Sequence, residues 1–302
     1  MTRVLPLVAP MAIMSAMAAV IAVSRCGGST PSSPSPGPGP SGPPAVLAGA
    51  GDIGLCGSPA VAATALLLDR IPGIVFTAGD NAYPNGTAAD FRDCYDPHWG
   101  RHRERTRPAP GNHDYESPGA TPYFAYFGGS AGPAGLGYYS YVAGPWLVIS
   151  LNSEVLAGLG SPQQQWLHTQ LTSSRARCTM AYWHKPLFTS GPNGPNPHMR
   201  EIWRTLYDFD VDLVITAHDH LYERFAPQDP DGHVDPARGI RQITAGTGGG
   251  PLHSPITTAP NREVIGIGYG VLKLTLADGG YQWEFVPVPG NAFTDTGIGL
   301  CH

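Results

Sequence analysis

Charge is scarce in this chain. Asp, Glu, Lys and Arg make up 14% of its 302 residues, too few for a coiled coil or an intrinsically disordered polyelectrolyte. No block of Lys or Arg stands out, and the formal net charge is −5. A nucleic-acid-binding surface is therefore not expected. Arg101, Arg103, Arg105 and Arg107 alternate near a turn. They read as a solvated face, the alternative being a cationic rim that draws in an anionic substrate. None of the cysteines lies in a Cys-x-x-Cys pattern, which argues against a structural zinc site. No internal repeat is present, so a solenoid or propeller is not indicated.

What is there is apolar and rich in turns. Hydrophobic residues make up 42% of the chain, and Gly (39) and Pro (32) are frequent. That content can bury a sizeable core with many long loops. Arg3 precedes an apolar run from Val4 to Val23, interrupted by Pro6 and Pro10, with Ala-Met-Ala at 16–18. The pattern is that of a signal peptide, and a run of about 20 residues would also serve as a membrane anchor. Cys26 raises lipidation as a third reading, but Arg25 stands where a lipoprotein signal wants a small residue. Residues 27–44, dominated by Pro, Ser and Gly, read as an extended linker. The expected organisation is a signal peptide or membrane anchor over 1–26, the linker, and one catalytic domain over 45–302, outside the cytoplasm or tethered to the cell envelope.

From Ala45 onward, short apolar strands alternate with helical stretches, the rhythm of an α/β domain. Strands are expected at Val46–Ala50, Ile74–Ala78, Trp146–Leu151, Thr179–Trp183 and Leu213–Thr216. Helices are expected over 59–70, 87–103, from Ser161-Pro162 onward, and over 198–208. Pro108–Tyr115 reads as a loop. The stretch from Gly239 to Pro287 reads mostly as strands, with a hairpin at Ala277-Asp278-Gly279-Gly280.

Four of these strands run directly into a metal-ligand type: Asp52, Asp80, His184 and His218. In open α/β sheets, ligands bind outside the carboxyl ends of strands. A lone Gly-Asp is usually a turn, and a lone His is usually structural. The ordered set is harder to dismiss: Gly51-Asp52-Ile53-Gly54, Gly79-Asp80-Asn81-Ala82-Tyr83, Gly111-Asn112-His113-Asp114, Ala181-Tyr182-Trp183-His184 and Ala217-His218-Asp219-His220. Two metal ions about 3.5–4 Å apart need a bridging anion, a role that suits Asp80. Asp52 supplies a hard oxygen, Asn112 a neutral carbonyl, and His184, His218 and His220 imidazoles. A phenol, with a pKa of about 10, ligates as phenolate only beside a strong Lewis acid. Tyr83 therefore points to a trivalent ion such as Fe³⁺. With such an ion and a divalent partner the site keeps a small positive charge, suited to a phosphate ester.

This ordered set resembles the calcineurin-like metallophosphoesterase superfamily and, within it, the purple acid phosphatase branch. Gly54 stands where the wider superfamily has His, and Tyr83 is the feature of that branch. His220-Leu221-Tyr222-Glu223-Arg224 and Gly246-Thr247-Gly248-Gly249 are similar to it as well. The resemblance covers roughly Val46 to Pro289 and implies a four-layer α/β/β/α sandwich with the metals at the sheet ends. It implies Asp52, Asp80, Tyr83 and His220 around the ferric ion, and Asp80, Asn112, His184 and His218 around Zn²⁺, Mn²⁺ or Fe²⁺. Two departures are Ala217 in place of Gly and Lys185 in place of a second His. His198 matches a phosphate-contacting His.

The implied activity is hydrolysis of phosphate monoesters by attack of a metal-bound hydroxide. His113 would be the general acid, and Asp114 either orients it or caps the loop. A phosphodiesterase or nucleotidase on the same metal core is the alternative, and a non-catalytic metal-binding protein is a more distant one. Four cysteines beyond Cys26 allow three pairings. Placement along the strands favours Cys56 with Cys94, near the metal end, leaving Cys178 for Cys301.

Overall fold

A computed structural model describes Met1, Thr2 and residues 39–302. The expected leader, apart from Met1 and Thr2, and most of the linker lie outside the described residues. No helix among the described residues is long and apolar enough to cross a membrane.

Among the described residues, thirteen strands form two sheets. They are β1 (Ala45–Ala50), β2 (Ile74–Ala78), β3 (Thr106–Ala109), β4 (Tyr139–Ala143), β5 (Trp146–Ser150), β6 (Cys178–Tyr182), β7 (Leu213–Thr216), β8 (Tyr222–Phe225), β9 (Arg241–Ala245), β10 (Arg262–Gly266), β11 (Gly270–Ala277), β12 (Gly280–Pro287) and β13 (Thr296–Leu300). The first sheet has the order β13-β12-β11-β1-β2-β3, the second β10-β8-β9-β7-β6-β5-β4. β1, β2 and β3 run parallel, as do β5, β6, β7 and β9.

Successive side chains on a strand face opposite sides, so each sheet buries two faces. Leu47, Phe76, Leu272 and Leu274 of the first sheet meet Trp146, Val148, Met180 and Ile215 of the second in one core. Ala48, Ala50 and Val75 face the other way, onto Val61, Ala65 and Leu68 of the helix Pro59–Leu68. Ile149, Ala181 and Val214 face Leu167 of the helix Pro162–Ser173 and Ile202 and Leu206 of the helix Arg200–Asp208. The layers are therefore α/β/β/α, as expected.

The structure differs from the sequence reading in several places. The stretch 87–103 is not one helix. A turn over Ala88–Asp90, capped by Thr87, passes into a wide turn at Phe91–Tyr95 and a tight one at Trp99–Arg105. Pro97 interrupts it, because proline cannot donate the hydrogen bond a continuous helix needs. The expected loop Pro108–Tyr115 holds the end of β3 and the short helix Asn112–Glu116. Pro108 is tolerated in β3 because that strand is the edge of its sheet. β4, β8 and β13 were not anticipated as strands.

Arg101 and Arg103 are exposed and Arg105 and Arg107 half-buried, and each is engaged locally. Arg101 pairs with Asp69, and Arg105 donates to the carbonyls of Leu68, Ile71 and Gly73. Arg103 and Arg107 lie over the rings of Tyr126 and Tyr141. Both disulfides have the favoured pairing, Cys56–Cys94 and Cys178–Cys301.

Candidate metal centre

Three of the candidate residues sit at sharp turns just past strand ends. Asp52 follows β1 with φ 60°, Asp80 follows β2 with φ 50°, and His218 follows β7 with φ 71°. Left-handed backbone is uncommon outside glycine, and Asp and His are among the residues that tolerate it. Such a turn ends the strand and swings the side chain across the sheet end. Gly111 shows how tight the assembly is. A Cβ there would come within 2.2 Å of Asp80 Oδ1, so the loop carrying Asn112 and His113 reaches the site only because residue 111 has none.

The side chains converge in two groups that share one atom. Tyr83 Oη lies 2.8 Å from Asp52 Oδ1, 3.1 Å from Asp80 Oδ2 and 3.2 Å from His220 Nε2. His220 Nε2 is 3.2 Å from Asp52 Oδ1. In the second group, His184 Nε2 lies 3.1 Å from Asp80 Oδ2, from Asn112 Oδ1 and from His218 Nδ1. Asp80 Oδ2 belongs to both. Ligating atoms of Asp80, His184 and His218 all lie within 4.8 Å of one another. All seven residues expected as ligands are thus brought together.

Outer contacts aim the imidazoles. His184 Nδ1 donates to the Ala78 carbonyl (2.9 Å), and His220 Nδ1 to that of Pro251 (2.6 Å). Each Nε2 is thereby turned into the cluster, the arrangement metal-binding histidines use. Charge is strongly perturbed. Burial pushes the Tyr83 hydroxyl well above its ordinary pKa, and the facing Asp52 and Asp80 push it further. Burial, then the charge of His184, holds His218 down at about 3. For His184 burial acts downward, but the Asp80 carboxylate prevails and raises it to about 10. Burial also opposes ionisation of Asp52, yet His220 outweighs it and keeps the carboxyl below its usual range. Tyr83 Oη donates to both Asp52 and Asp80, and His184 Nε2 faces Asp80. The mix of oxygen and imidazole donors fits a pair of metal ions.

His113 stands beside this cluster. Its ring packs at a tilt of 49° against Tyr83 with centroids 4.4 Å apart, Nδ1 donates to the Pro84 carbonyl at 2.5 Å, and Nε2 lies 3.9 Å from Asp80 Oδ2. Asp114 does not orient it. That buried carboxylate accepts from the Gly111 and Asn81 backbone N–H groups and from Asn81 Nδ2, so it caps the loop. Its pKa is raised to about 7, first by burial and then by Asp80. His198 is not drawn into the cluster; its Nε2 bonds to the Val155 carbonyl at 2.9 Å.

Two contributors had no signal in the sequence. His253 stacks on His220 with centroids 4.1 Å apart, and its Nδ1 accepts the His220 backbone N–H. Glu154 pairs with Lys185 at 2.6 Å. Lys185 therefore does not present a free charge where relatives carry a second His.

The family model for calcineurin-like phosphoesterases matches residues 47–222, more than half of the chain. The chain belongs to this family. Among curated proteins, the chain is 29% identical over 257 residues to an uncharacterized protein of Mycobacterium tuberculosis, covering 74% of this chain and 45% of that one. It is 26% identical over 299 residues to purple acid phosphatase 15 of Arabidopsis thaliana, covering 82% of this chain and 53% of that one. The chain spans about half the length of the curated relatives it matches. A purple acid phosphatase from yellow lupin (Lupinus luteus) seeds has the same fold, with a TM-score of 0.75 and 20% identity over 87% of this chain and 55% of that one. The protein described as the anchor in the inner membrane complex of Plasmodium shares the fold at a TM-score of 0.62 and 14% identity, over 85% of this chain and 89% of that one.

Proposed function

We propose that this phosphoesterase hydrolyses phosphate monoesters at a dinuclear centre held by Asp52, Asp80, Tyr83, Asn112, His184, His218 and His220. The observation that carries the reading is the shared Asp80 Oδ2, which makes two groups of donors out of one cluster. The similarity to purple acid phosphatase 15 favours monoesters over the diesterase alternative. Asp52, Tyr83 and His220 flank one side of Asp80. Asn112, His184 and His218 flank the other. Bound metal ions would supply an activated water and hold the phosphoryl oxygens.

Tyr83 directs the choice of metal. Its hydroxyl faces two carboxylates in a buried site, so it ionises only opposite a strongly charged cation. Fe³⁺ with a divalent partner, Zn²⁺, Mn²⁺ or Fe²⁺, meets that need. His113 Nε2, which has no hydrogen-bond partner among the described residues, would protonate the leaving oxygen. The two disulfides fit an oxidising compartment outside the cytoplasm. They accord with a leader at 1–26, a linker at 27–44 and a catalytic domain at 45–302.

Metal analysis and a visible spectrum of the purified protein test the centre. Near-stoichiometric iron with a broad visible band that vanishes in Tyr83→Phe is expected. Two divalent ions and no such band would overturn the ferric assignment. A panel of mono- and diesters then separates the two ester classes.

A further inference from the structure

A cavity of about 230 Å³ opens at the end of β5, lined by Leu136, Tyr138, Val155, Leu156, Pro162 and Gln163. Its lining is almost wholly apolar. Gln163 is spent inside the protein, because Oε1 accepts the Asn152 N–H at 2.8 Å and Nε2 donates to the Asn152 carbonyl at 2.9 Å. Leu136 and Leu156 are 38% and 72% exposed, large apolar side chains left uncovered among the described residues. Uncovered apolar surface around a hollow marks a place where something binds.

The wall of the hollow is hydrogen-bonded to the segments that carry the donor cluster. The chain leaving β5 is laced to the chain leaving β6: Leu151 N–H donates to the Tyr182 carbonyl, Lys185 N–H to Ser153 Oγ, and Lys185 Nζ to Glu154. His184 is the next residue on one side of that seam, and Val155 is the next on the other. Asn152 Nδ2 bonds to the hydroxyl of Tyr115 and to the Leu136 carbonyl. This ties the cavity wall to the helix that begins with Asn112 and His113.

Resting on the phosphoesterase reading, we infer that this cavity receives the alcohol part of the substrate. The preferred substrates are then monoesters of small apolar alcohols, with one aromatic ring or a short branched chain. A sugar or nucleoside brings hydroxyls and ring nitrogens that would lose water and gain no partner there. The volume is below the roughly 300–1,000 Å³ of sites for drug-sized ligands, so it suits a single ring and not a long lipid tail.

Benzyl phosphate and glycerol 1-phosphate test this on the full, metal-loaded chain, because both are esters of primary alcohols and differ little as leaving groups. Calorimetry with benzylphosphonate and methylphosphonate gives a readout independent of turnover. The wild type should favour the benzyl compound in both assays by about tenfold or more. Leu156→Asp should abolish that preference by lowering turnover of the benzyl ester and binding of benzylphosphonate. Leu159→Asp, an exposed position of the same loop outside the cavity lining, should leave the preference intact. Equal turnover of both esters and equal binding of both phosphonates would overturn the inference while the phosphoesterase reading stands. Tight benzylphosphonate binding without turnover of either ester would overturn the phosphoesterase reading and leave the cavity as a binding subsite.

Discussion

His113 differs from the donors around it in where its free nitrogen points. Nδ1 is fixed on the Pro84 carbonyl and the ring packs at a tilt against Tyr83, so only Nε2 can exchange a proton with a substrate. Its side chain is 35% exposed, against 1% for Asp80, which puts it at the mouth of the site. His113→Ala should keep its metal and lose rate by about 10²–10⁴-fold on esters with poor leaving groups. The loss should be far smaller with a p-nitrophenyl ester, which needs no proton to depart. Equal losses on both esters would remove His113 from that role. The positions that converge on this site were legible because each directly follows a strand or a tight turn and carries a ligating side chain. Glu154 and His253 were not, since neither sits in a motif and each matters through a contact made only in the folded chain. Asp114 left two readings open because sequence cannot show which donors a carboxylate meets.

At the scale of elements, the site depends on how closely the two sheets approach at their ends. Gly51, after β1, donates its N–H to the Ala245 carbonyl of β9 in the other sheet at 2.9 Å. A Cβ at Gly51 would come within 2.4 Å of the Ala217 Cβ. Ala217, where the resemblance leads one to expect Gly, is accommodated because its neighbour across the sheets has no side chain. Gly51→Ala should therefore destabilise the fold by about 1–3 kcal/mol through overpacking. Ala217→Gly should recover part of that loss, and only part, because the Ala78 carbonyl also lies 2.8 Å from the added carbon. Urea unfolding of the two single variants and the double variant measures the coupling. A double variant no more stable than Gly51→Ala would contradict it. The strands that build this contact, β1 and β7, were readable as short apolar runs ending in a ligand type. β3 was not, because Pro108 argues against a strand until the edge position is known. The expected helix 87–103 failed for the opposite reason: it ran through Pro97, which a continuous helix does not tolerate.

For the whole molecule, the second disulfide holds the sandwich shut far from the chemistry. Cys178 opens β6 in one sheet, and Cys301 follows β13 in the other, at a sequence separation of 123. The same seam carries Trp146 Nε1 donating to the Ala277 carbonyl and the His302 N–H donating to Asp212. His184 lies past the opposite end of β6, so the bond and the donor cluster are a strand's length apart. In the chain-entropy account, a link closing so long a loop stabilises by restricting the unfolded chain, typically by about 2–4 kcal/mol. Cys301→Ser should thus lower the melting temperature without changing metal content or turnover at 25 °C. Cys56–Cys94 closes a shorter span of 38 residues, and Cys56 lies just beyond the turn that carries Asp52. Cys56→Ser should give a smaller drop in melting temperature and a measurable loss of bound metal. Calorimetric melting with metal analysis on both variants separates the two effects. Loss of metal from Cys301→Ser at unchanged melting temperature would show that the two ends of the sandwich are coupled, and that this division between stability and chemistry is wrong.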